Sequence, residues 1–350
     1  MPAAPHPTHP FRMAVTLAAV LATGASYAGC GDAEKPPAKP ASARNADLPP
    51  GQIAFRRYLD DAHTRGAIFT VRTDGSGEQQ LSRPEAGETD DMPDWSPDGR
   101  LIAFERCEEG GGCSIWTADA ENASAEEVRF SCRLDGCDAS SPAWTPDGRL
   151  VVTLEQGGVR TFGGAPQIEQ SGIVTVDLDS GDQRTVYERR NWTGGSSQAQ
   201  VSPDGRTFLY TRQNSGRSRP RLGSALFAVD ANGKGNHQVA SWELGGGDHA
   251  VFAPDGSVLF RSFEGDDSRQ SDYWSVRPDG SRLKQLTHFK PGTLVLSASY
   301  SPDGKWIAYA SDGEGGNADL YVMRADGSGG RPLFRAQPWD SAPDWSPVTN

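Results

Sequence analysis

Acidic side chains recur a few residues before several tight turns of this 350-residue chain. Carboxylates that converge can hold a hard cation such as calcium, or receive a basic segment of a partner protein. The pattern therefore predicts a cation-binding or partner-binding site, with these residues assigned to it: Asp91, Asp94, Asp138, Asp248, His249, Asp340 and Asp344. The competing interpretation is that these side chains only cap strand ends and turns.

A catalytic site is harder to assemble from these residues. His249 beside Asp248 is the best acid–base candidate, but no nucleophile or orienting third group accompanies it. The Gly-x-Ser-x-Gly sequence of serine hydrolases is absent. The sequence therefore predicts no enzymatic activity, with a metal-dependent hydrolase or lyase as the alternative.

The elements that must position these residues are repeated. A run of an apolar residue, a small polar residue and Pro-Asp-Gly occurs five times, and a truncated copy closes the chain. Proline presets φ at the first corner of a tight turn, and glycine accepts the positive φ that follows. Successive prolines lie 49, 57, 51, 48 and 45 residues apart, at Pro97, Pro146, Pro203, Pro254, Pro302 and Pro347. A period of this length indicates repeated supersecondary units.

Each turn is followed by short runs rich in β-forming residues, such as 101–104 and 306–309. Four such strands joined by tight turns make one propeller blade, and the absence of 3.6-residue periodicity predicts almost no helix. The chain enters the repeat in mid-blade at 53–55, and the missing first strand is supplied by 342–346. The sequence therefore predicts an all-β, six-bladed β-propeller closed by its C-terminal strand, which removes open sheet edges.

These runs resemble the WD40-like Pro-Asp repeats of the TolB family, nearly literally at 301–309 and 320–328. The resemblance covers 51–350. It implies a propeller whose channel mouth binds partner proteins and metal ions. The alternative, a metal-dependent hydrolase or lyase, is expected to act in the same central channel. TolB proper carries an N-terminal α/β domain before its propeller, and here we expect only a short tether in that place.

Variable loops concentrate on one face of the predicted propeller. Alternation of loops places the Pro-Asp-Gly turns on one face and the insertions 105–113, 156–171, 213–222, 264–270 and 312–317 on the other. Because binding residues concentrate on variable loops of rigid scaffolds, we expect the second face to bind a partner.

The N-terminal residues predict export. Arg12 precedes an apolar stretch, 13–28, that is typical of a secretory signal. The run from Tyr27 to Cys30 resembles a bacterial lipobox and predicts lipid attachment at Cys30, with ordinary secretion as the alternative. The Pro-rich stretch that follows predicts an extended spacer. The expected organisation is a signal peptide (1–29), an anchor and tether (30–50) and a propeller (51–350), located in the periplasm or outside the cytoplasm and held to the membrane only by the lipid.

Four further cysteines lie on the loop-rich face. An even number in an exported protein favours disulfides, and the simplest of three pairings is Cys107–Cys113 with Cys132–Cys137. A zinc site is the alternative, although the Cys-x-x-Cys spacing and a nearby histidine are lacking.

The charge balance restricts the class of partner. The chain carries 34 basic and 46 acidic residues, a net charge of −12, which argues against binding to nucleic acid. We therefore expect a monomeric protein that binds an envelope protein or a peptidoglycan-associated partner, with calcium at the channel mouth as a candidate ligand.

Overall fold

The computed structural model describes residues 45–131, 137–162, 165–193, 196–214, 223–244, 247–263, 270–313, 316–334, 336 and 338–347. The predicted signal peptide and Cys30 lie outside them. The described residues form six four-stranded sheets and a single short 3-10 helix, Trp242–Leu244. The predicted all-β propeller with almost no helix is confirmed. Within these ranges, no helix has the length and apolar character needed to cross a bilayer.

Each blade is an antiparallel sheet that begins with its innermost strand. Blade 2 contains β4 (Glu88–Trp95), β5 (Leu101–Glu108), β6 (Cys113–Asp119) and β7 (Ala125–Glu127). Blade 3 contains β8 (Cys137–Trp144), β9 (Leu150–Phe162), β10 (Ala165–Val176) and β11 (Gln183–Thr193). Blade 4 contains β12 (Ser196–Val201), β13 (Thr207–Asn214), β14 (Gly223–Asp230) and β15 (His237–Gln238). Blade 5 contains β16 (Asp248–Phe252), β17 (Val258–Phe263), β18 (Ser271–Val276) and β19 (Lys284–Gln285), and blade 6 contains β20 (Val295–Tyr300), β21 (Trp306–Ser311), β22 (Asp319–Arg324) and β23 (Arg331–Pro332).

Blade 1 is assembled from both ends of the described chain. It contains β1 (Gln52–Tyr58), β2 (Gly66–Arg72), β3 (Gln79–Gln80) and, innermost, β24 (Asp340–Trp345). In the β1–β24 pair, Ile53 lies opposite Trp345 and Arg57 lies opposite Asp340. The predicted closure of the ring by the C-terminal strand is confirmed.

The core lies between blades, because one sheet cannot cover both of its own faces. Blades 1 and 6 share a cluster that includes Phe55, Trp306 and Trp345, while Ile68 and Phe104 belong to the cluster between blades 1 and 2. Apolar area removed from water at these interfaces stabilises the ring, at roughly 25 cal/mol per Å².

Two stretches differ from the sequence analysis. The expected loop 156–171 is largely strand, because β9 and β10 continue their pairing as far as Phe162 and Ala165. Continued pairing satisfies backbone amides that a loop would leave to water. In the stretch expected as a spacer, Leu48 is 7% exposed in the core between blades 1 and 6, and the side-chain amide of Asn45 donates to the Leu333 carbonyl at 3.0 Å.

Candidate functional site

The six innermost strands surround a central channel. The strands β4, β8, β12, β16, β20 and β24 each contact the next one around the ring. One residue per blade lines the channel five positions before each repeat proline, namely Met92, Ser141, Gln198, His249, Ser297 and Ala342. The repeat that builds the fold therefore also sets the period of the channel lining.

A bulge at this level breaks the pairing of every innermost strand with its neighbour. Five of the six lining residues have φ between 48° and 56°, with Ser297 as the exception. Bulges bend a strand and re-aim its side chains. Side-chain oxygens accept hydrogen bonds from backbone amides at the bulges. The Met92 N–H donates to Asp91 (2.8 Å), the Ser141 N–H to Glu105 (2.7 Å) and the His249 N–H to Gln198 (2.8 Å).

Strand register places the channel mouth on the face opposite the Pro-Asp-Gly turns. Glu88 lies opposite Glu108 at this face, and Cys107 lies opposite Cys113. The predicted site residues lie within the innermost strands rather than in links between blades, because pairing begins before the bulge. The predicted bridge between Cys107 and Cys113 is present and closes the β5–β6 hairpin. Cys137 is also disulfide-bonded, whereas its predicted partner, Cys132, lies outside the described residues.

The predicted acidic residues separate into distinct contacts. Asp91 pairs with Arg56, and Asp138 accepts the Cys113 N–H at 2.7 Å. Asp340 is fully buried and accepts two hydrogen bonds from Arg57, at 2.7 and 2.8 Å, which fits the structural interpretation of this side chain. Burial raises the pKa of Asp340 to about 6, against the opposing effect of the Arg57 guanidinium. The Asp248 side chain lies outside the described residues.

Two glutamates that the sequence analysis missed complete an acidic group at the mouth. Glu105 lies opposite Asp91 in the β4–β5 pair, and Glu155 lies opposite Asp138 in the β8–β9 pair. We call Asp91, Glu105, Asp138 and Glu155 the mouth quartet. Burial, followed by the charge of the neighbouring aspartate, raises the pKa of each glutamate to about 7. The sequence carried one signal for these glutamates. Each lies on the second strand of its blade, opposite a predicted site residue on the innermost strand.

Asp94 and Asp344 lie further along the channel and connect neighbouring blades. The Trp144 N–H donates to Asp94 at 3.0 Å, and the Trp95 N–H donates to Asp344 at 2.8 Å. Burial raises the pKa of Asp344 to about 7, and burial together with the charge of Asp344 raises the pKa of Asp94 well above its ordinary value. These two carboxyls fit the structural interpretation, in which polar side chains cap the neighbouring strand.

Within the described ranges, no group of three or more His, Cys, Asp or Glu side chains is placed to hold a metal ion. His249 lines the channel and has φ of 48°. The carboxyl groups at the channel form three separate arrangements: the mouth quartet, the pair of Asp94 and Asp344, and Asp340 alone. The structure therefore brings together only part of the predicted ring.

No protein-family model matches the sequence. A 144-residue stretch, 39% of this chain, is 33% identical to the "Tol-Pal system protein TolB" of Anaeromyxobacter dehalogenans, but covers only 31% of that relative. The crystal structure of TolB from Acinetobacter baumannii superposes with a TM-score of 0.61, at 19% identity, over 85% of this chain and 67% of that one. This chain is therefore similar to TolB proteins in sequence over part of its length, and it shares their β-propeller fold.

This propeller also shares its fold with proteins of other functions. A chain of Kuenenia stuttgartiensis hydrazine synthase superposes with a TM-score of 0.65, at 14% identity, over 88% of this chain and 48% of that one. Identities this low establish the fold alone, and one fold hosts many functions. Function must therefore be argued from the channel and the faces of this propeller.

Proposed function

We propose that this chain is an exported protein-binding propeller of the cell envelope that presents its channel mouth to a partner protein of a Tol–Pal-type assembly. The observation that carries the proposal is the match to a relative named as a Tol–Pal system protein, covering 39% of the chain. The proposal includes attachment to the membrane through lipid on Cys30, which rests on the lipobox-like run from Tyr27 to Cys30.

The mouth supplies chemistry for a basic or hydrogen-bond-donating segment. Asp138 and Glu155 lie side by side on paired strands, next to the disulfide-closed hairpin of blade 2. A rigid rim with charge of one sign favours a partner segment of the other sign and speeds its association. Calcium binding at the same acidic mouth remains a proposal from the sequence.

Site-specific photo-crosslinking in the organism that makes the protein tests this proposal. A photoreactive amino acid replaces Glu109, an exposed residue of the β5–β6 hairpin at the mouth, or Lys305, an exposed residue of the opposite face. We expect a discrete adduct with one envelope protein from position 109 and none from position 305.

A second measurement asks whether the adduct depends on the carboxylates at the mouth. The double change Asp138→Asn and Glu155→Gln keeps hydrogen-bond acceptors but removes charge, and we expect roughly tenfold less adduct from position 109. Asp326→Asn is the matched control, because it removes an exposed charge from the opposite face, which carries the Pro-Asp-Gly turns. Equal adducts from both faces, or adducts indifferent to the double change, would exclude the mouth as the binding site. A turnover that required a bound metal would instead favour the alternative channel enzyme.

A further inference from the structure

A second cleft lies between blades 5 and 6, on the face of the Pro-Asp-Gly turns. Its volume is about 510 Å³, within the range of small-molecule sites. It shares no lining residue with the central channel. Val276, Leu286 and Ala325 supply apolar surface, and Tyr300 contributes an aromatic ring.

The uncompensated charge in this cleft is positive. Arg277 is held by Asp255, donating to its carbonyl at 3.0 Å with its guanidinium 3.5 Å from the carboxylate. Arg282 and Lys284 also line the cleft, and in the part of the chain that the structure describes neither has a carboxylate oxygen within 4.0 Å.

The two carboxylates that line the cleft already accept hydrogen bonds from their own turns. Asp255 accepts from the Ser257 N–H at 2.8 Å and the Ser257 hydroxyl at 2.5 Å. Asp303 accepts from the Ser301 hydroxyl at 2.7 Å and the Lys305 N–H at 3.1 Å. Asp255 is paired with Arg277, and Asp303 lies 3.4 Å from the Lys305 ammonium, which leaves Arg282 and Lys284 as the side chains able to meet an external charge.

The backbone at Arg282 supplies an independent argument. Blades 1, 4, 5 and 6 share one turn, in which an amide N–H donates to the carbonyl four residues later. The residue after that carbonyl has a positive φ in all four turns: 66° at Gly77, 67° at Gly235, 70° at Gly329 and 57° at Arg282. Glycine adopts this conformation without the steric cost that a side chain brings. The chain keeps an arginine only in the turn that borders the cleft, and strain of this kind is concentrated at functional sites.

Blade 5 also departs from its neighbours at the Pro-Asp-Gly turn itself. Four repeats place a hydroxyl residue before the proline, whereas blade 5 has Ala253, which lines the cleft. Burial raises the pKa of Tyr300 to about 12, so its phenol stays neutral and can donate a hydrogen bond. Within the described ranges, the Tyr300 hydroxyl has no protein hydrogen-bond partner.

We propose that this cleft binds a small organic anion, with Arg282 and Lys284 meeting its carboxylate or phosphate and the apolar surface at Leu286 and Ala325 receiving its hydrocarbon portion. Charge-assisted hydrogen bonds to guanidinium and ammonium groups supply the polar part of the affinity. Such a ligand differs in chemistry and place from a protein partner at the mouth, and the two proposals stand or fall separately.

Calorimetric titration of the full chain tests the cleft. The probes are 3-phenylpropionate, phenyl phosphate and the neutral 3-phenylpropanol. We expect saturable one-site binding of an anion, and binding of the alcohol at least about tenfold weaker. The comparison of the two anions decides between carboxylate and phosphate.

Arg282→Gly separates a binding role from a structural one. Glycine suits the backbone at this position, so the melting temperature stays equal or rises while anion affinity falls roughly tenfold. Lys284→Ala repeats the charge loss on a regular strand, and Ala325→Trp fills the cleft and abolishes binding with both cations present. Lys234→Ala, an exposed lysine in the corresponding turn of blade 4, is the matched control and leaves binding unchanged.

Several results would overturn the proposal. The first two are the absence of saturable binding of either anion and binding of the alcohol as tight as that of the anions. The others are wild-type anion affinity in both Arg282→Gly and Lys284→Ala, or a loss of anion affinity in Lys234→Ala equal to theirs. The last of these would mean that any surface lysine attracts the probe.

Discussion

At the scale of single residues, the channel depends on carboxyl groups that also act as acceptors for backbone amides. Asp94 and Asp344 each receive an N–H from the neighbouring blade, and each lies where ionisation is disfavoured. Below neutral pH a proton removes the repulsion between them without removing the hydrogen bonds. We therefore expect the links between blades 1, 2 and 3 to be strongest under mildly acidic conditions.

Asp344→Asn tests this conclusion. Burial raises the native pKa of Asp344 to about 7 from an ordinary value of 3.8, so the native state binds more protons between these two pH values. The stability contributed is complete below the unfolded pKa and is lost as pH rises through about 7. Asparagine keeps an acceptor for the Trp95 N–H and removes the charge. We expect its melting temperature to exceed that of the wild type by a few °C at pH 8, about 1 kcal/mol, and to vary less between pH 8 and 6.

Asp98→Asn is the control with the opposite sign. A hydrogen bond from the Ser96 hydroxyl lowers the pKa of Asp98, so its contribution is present above the ordinary carboxyl range and lost on acidification. We expect this variant to be less stable than the wild type at pH 8. An Asp344→Asn variant no more stable than the wild type at pH 8 would contradict the assignment of the channel carboxyls. Thermal melts followed by circular dichroism at fixed ionic strength measure both variants.

At the scale of the elements, the Pro-Asp-Gly turn is a closed set of hydrogen bonds. In blade 6 the Ser301 hydroxyl donates to Asp303 at 2.7 Å and accepts the Trp306 N–H at 3.0 Å. The Gly304 N–H donates to the Ser301 carbonyl at 2.9 Å. The same hydroxyl contacts occur at Ser96 and Ser202. The serine thus joins the turn to the first residue of the following strand.

Ser301→Ala removes both hydroxyl contacts at a fully buried position and leaves the Trp306 N–H without that acceptor. We expect a loss of about 1–2 kcal/mol in the free energy of unfolding, measured by urea denaturation. Ser328→Ala deletes an exposed hydroxyl that donates to Asp326 at 2.6 Å, and should change stability by less than about 0.5 kcal/mol. Equal effects of the two changes would show that burial of the turn serine does not matter.

The elements also show which features could be predicted from the sequence and which could not. Turns and strands were predictable because proline, aspartate and glycine fix local dihedral angles, and their period gave the blade count. Glu105 was missed because its place beside Asp91 depends on the bulge between Asp91 and Asp94, which sets the register. The β9–β10 extension was missed because Gly157 and Gly158 are typical of loops, whereas the strand passes through them as an irregularity and pairing resumes at Val159 with Ile168. Arg282 became informative only when its φ could be compared with three glycines.

At the scale of the whole molecule, the C-terminal strand closes the ring of six sheets. The strand β24 covers the open edge of β1, brings Trp345 into the core shared with blade 6 and places Asp340 against Arg57. The Trp345 N–H also donates to the Ser299 hydroxyl of blade 6 at 2.9 Å. A ring held in this way has no free edge at its seam.

Truncation after Phe334 removes β24 and leaves Arg57 without Asp340 and the inner edge of β1 without a paired strand. Breaking one buried ion pair costs about 3–5 kcal/mol, and the loss of the Trp345 side chain from the core adds a similar amount. Since domains are stable by only about 5–15 kcal/mol, we expect loss of cooperative melting and concentration-dependent aggregation through the open edge. Truncation after Pro347 retains β24 and is the matched control, expected to melt like the full chain. Calorimetry measures the melting of both proteins, and light scattering measures their aggregation. A protein that ends at Phe334 and still melts cooperatively as a monomer would mean that the ring closes without β24.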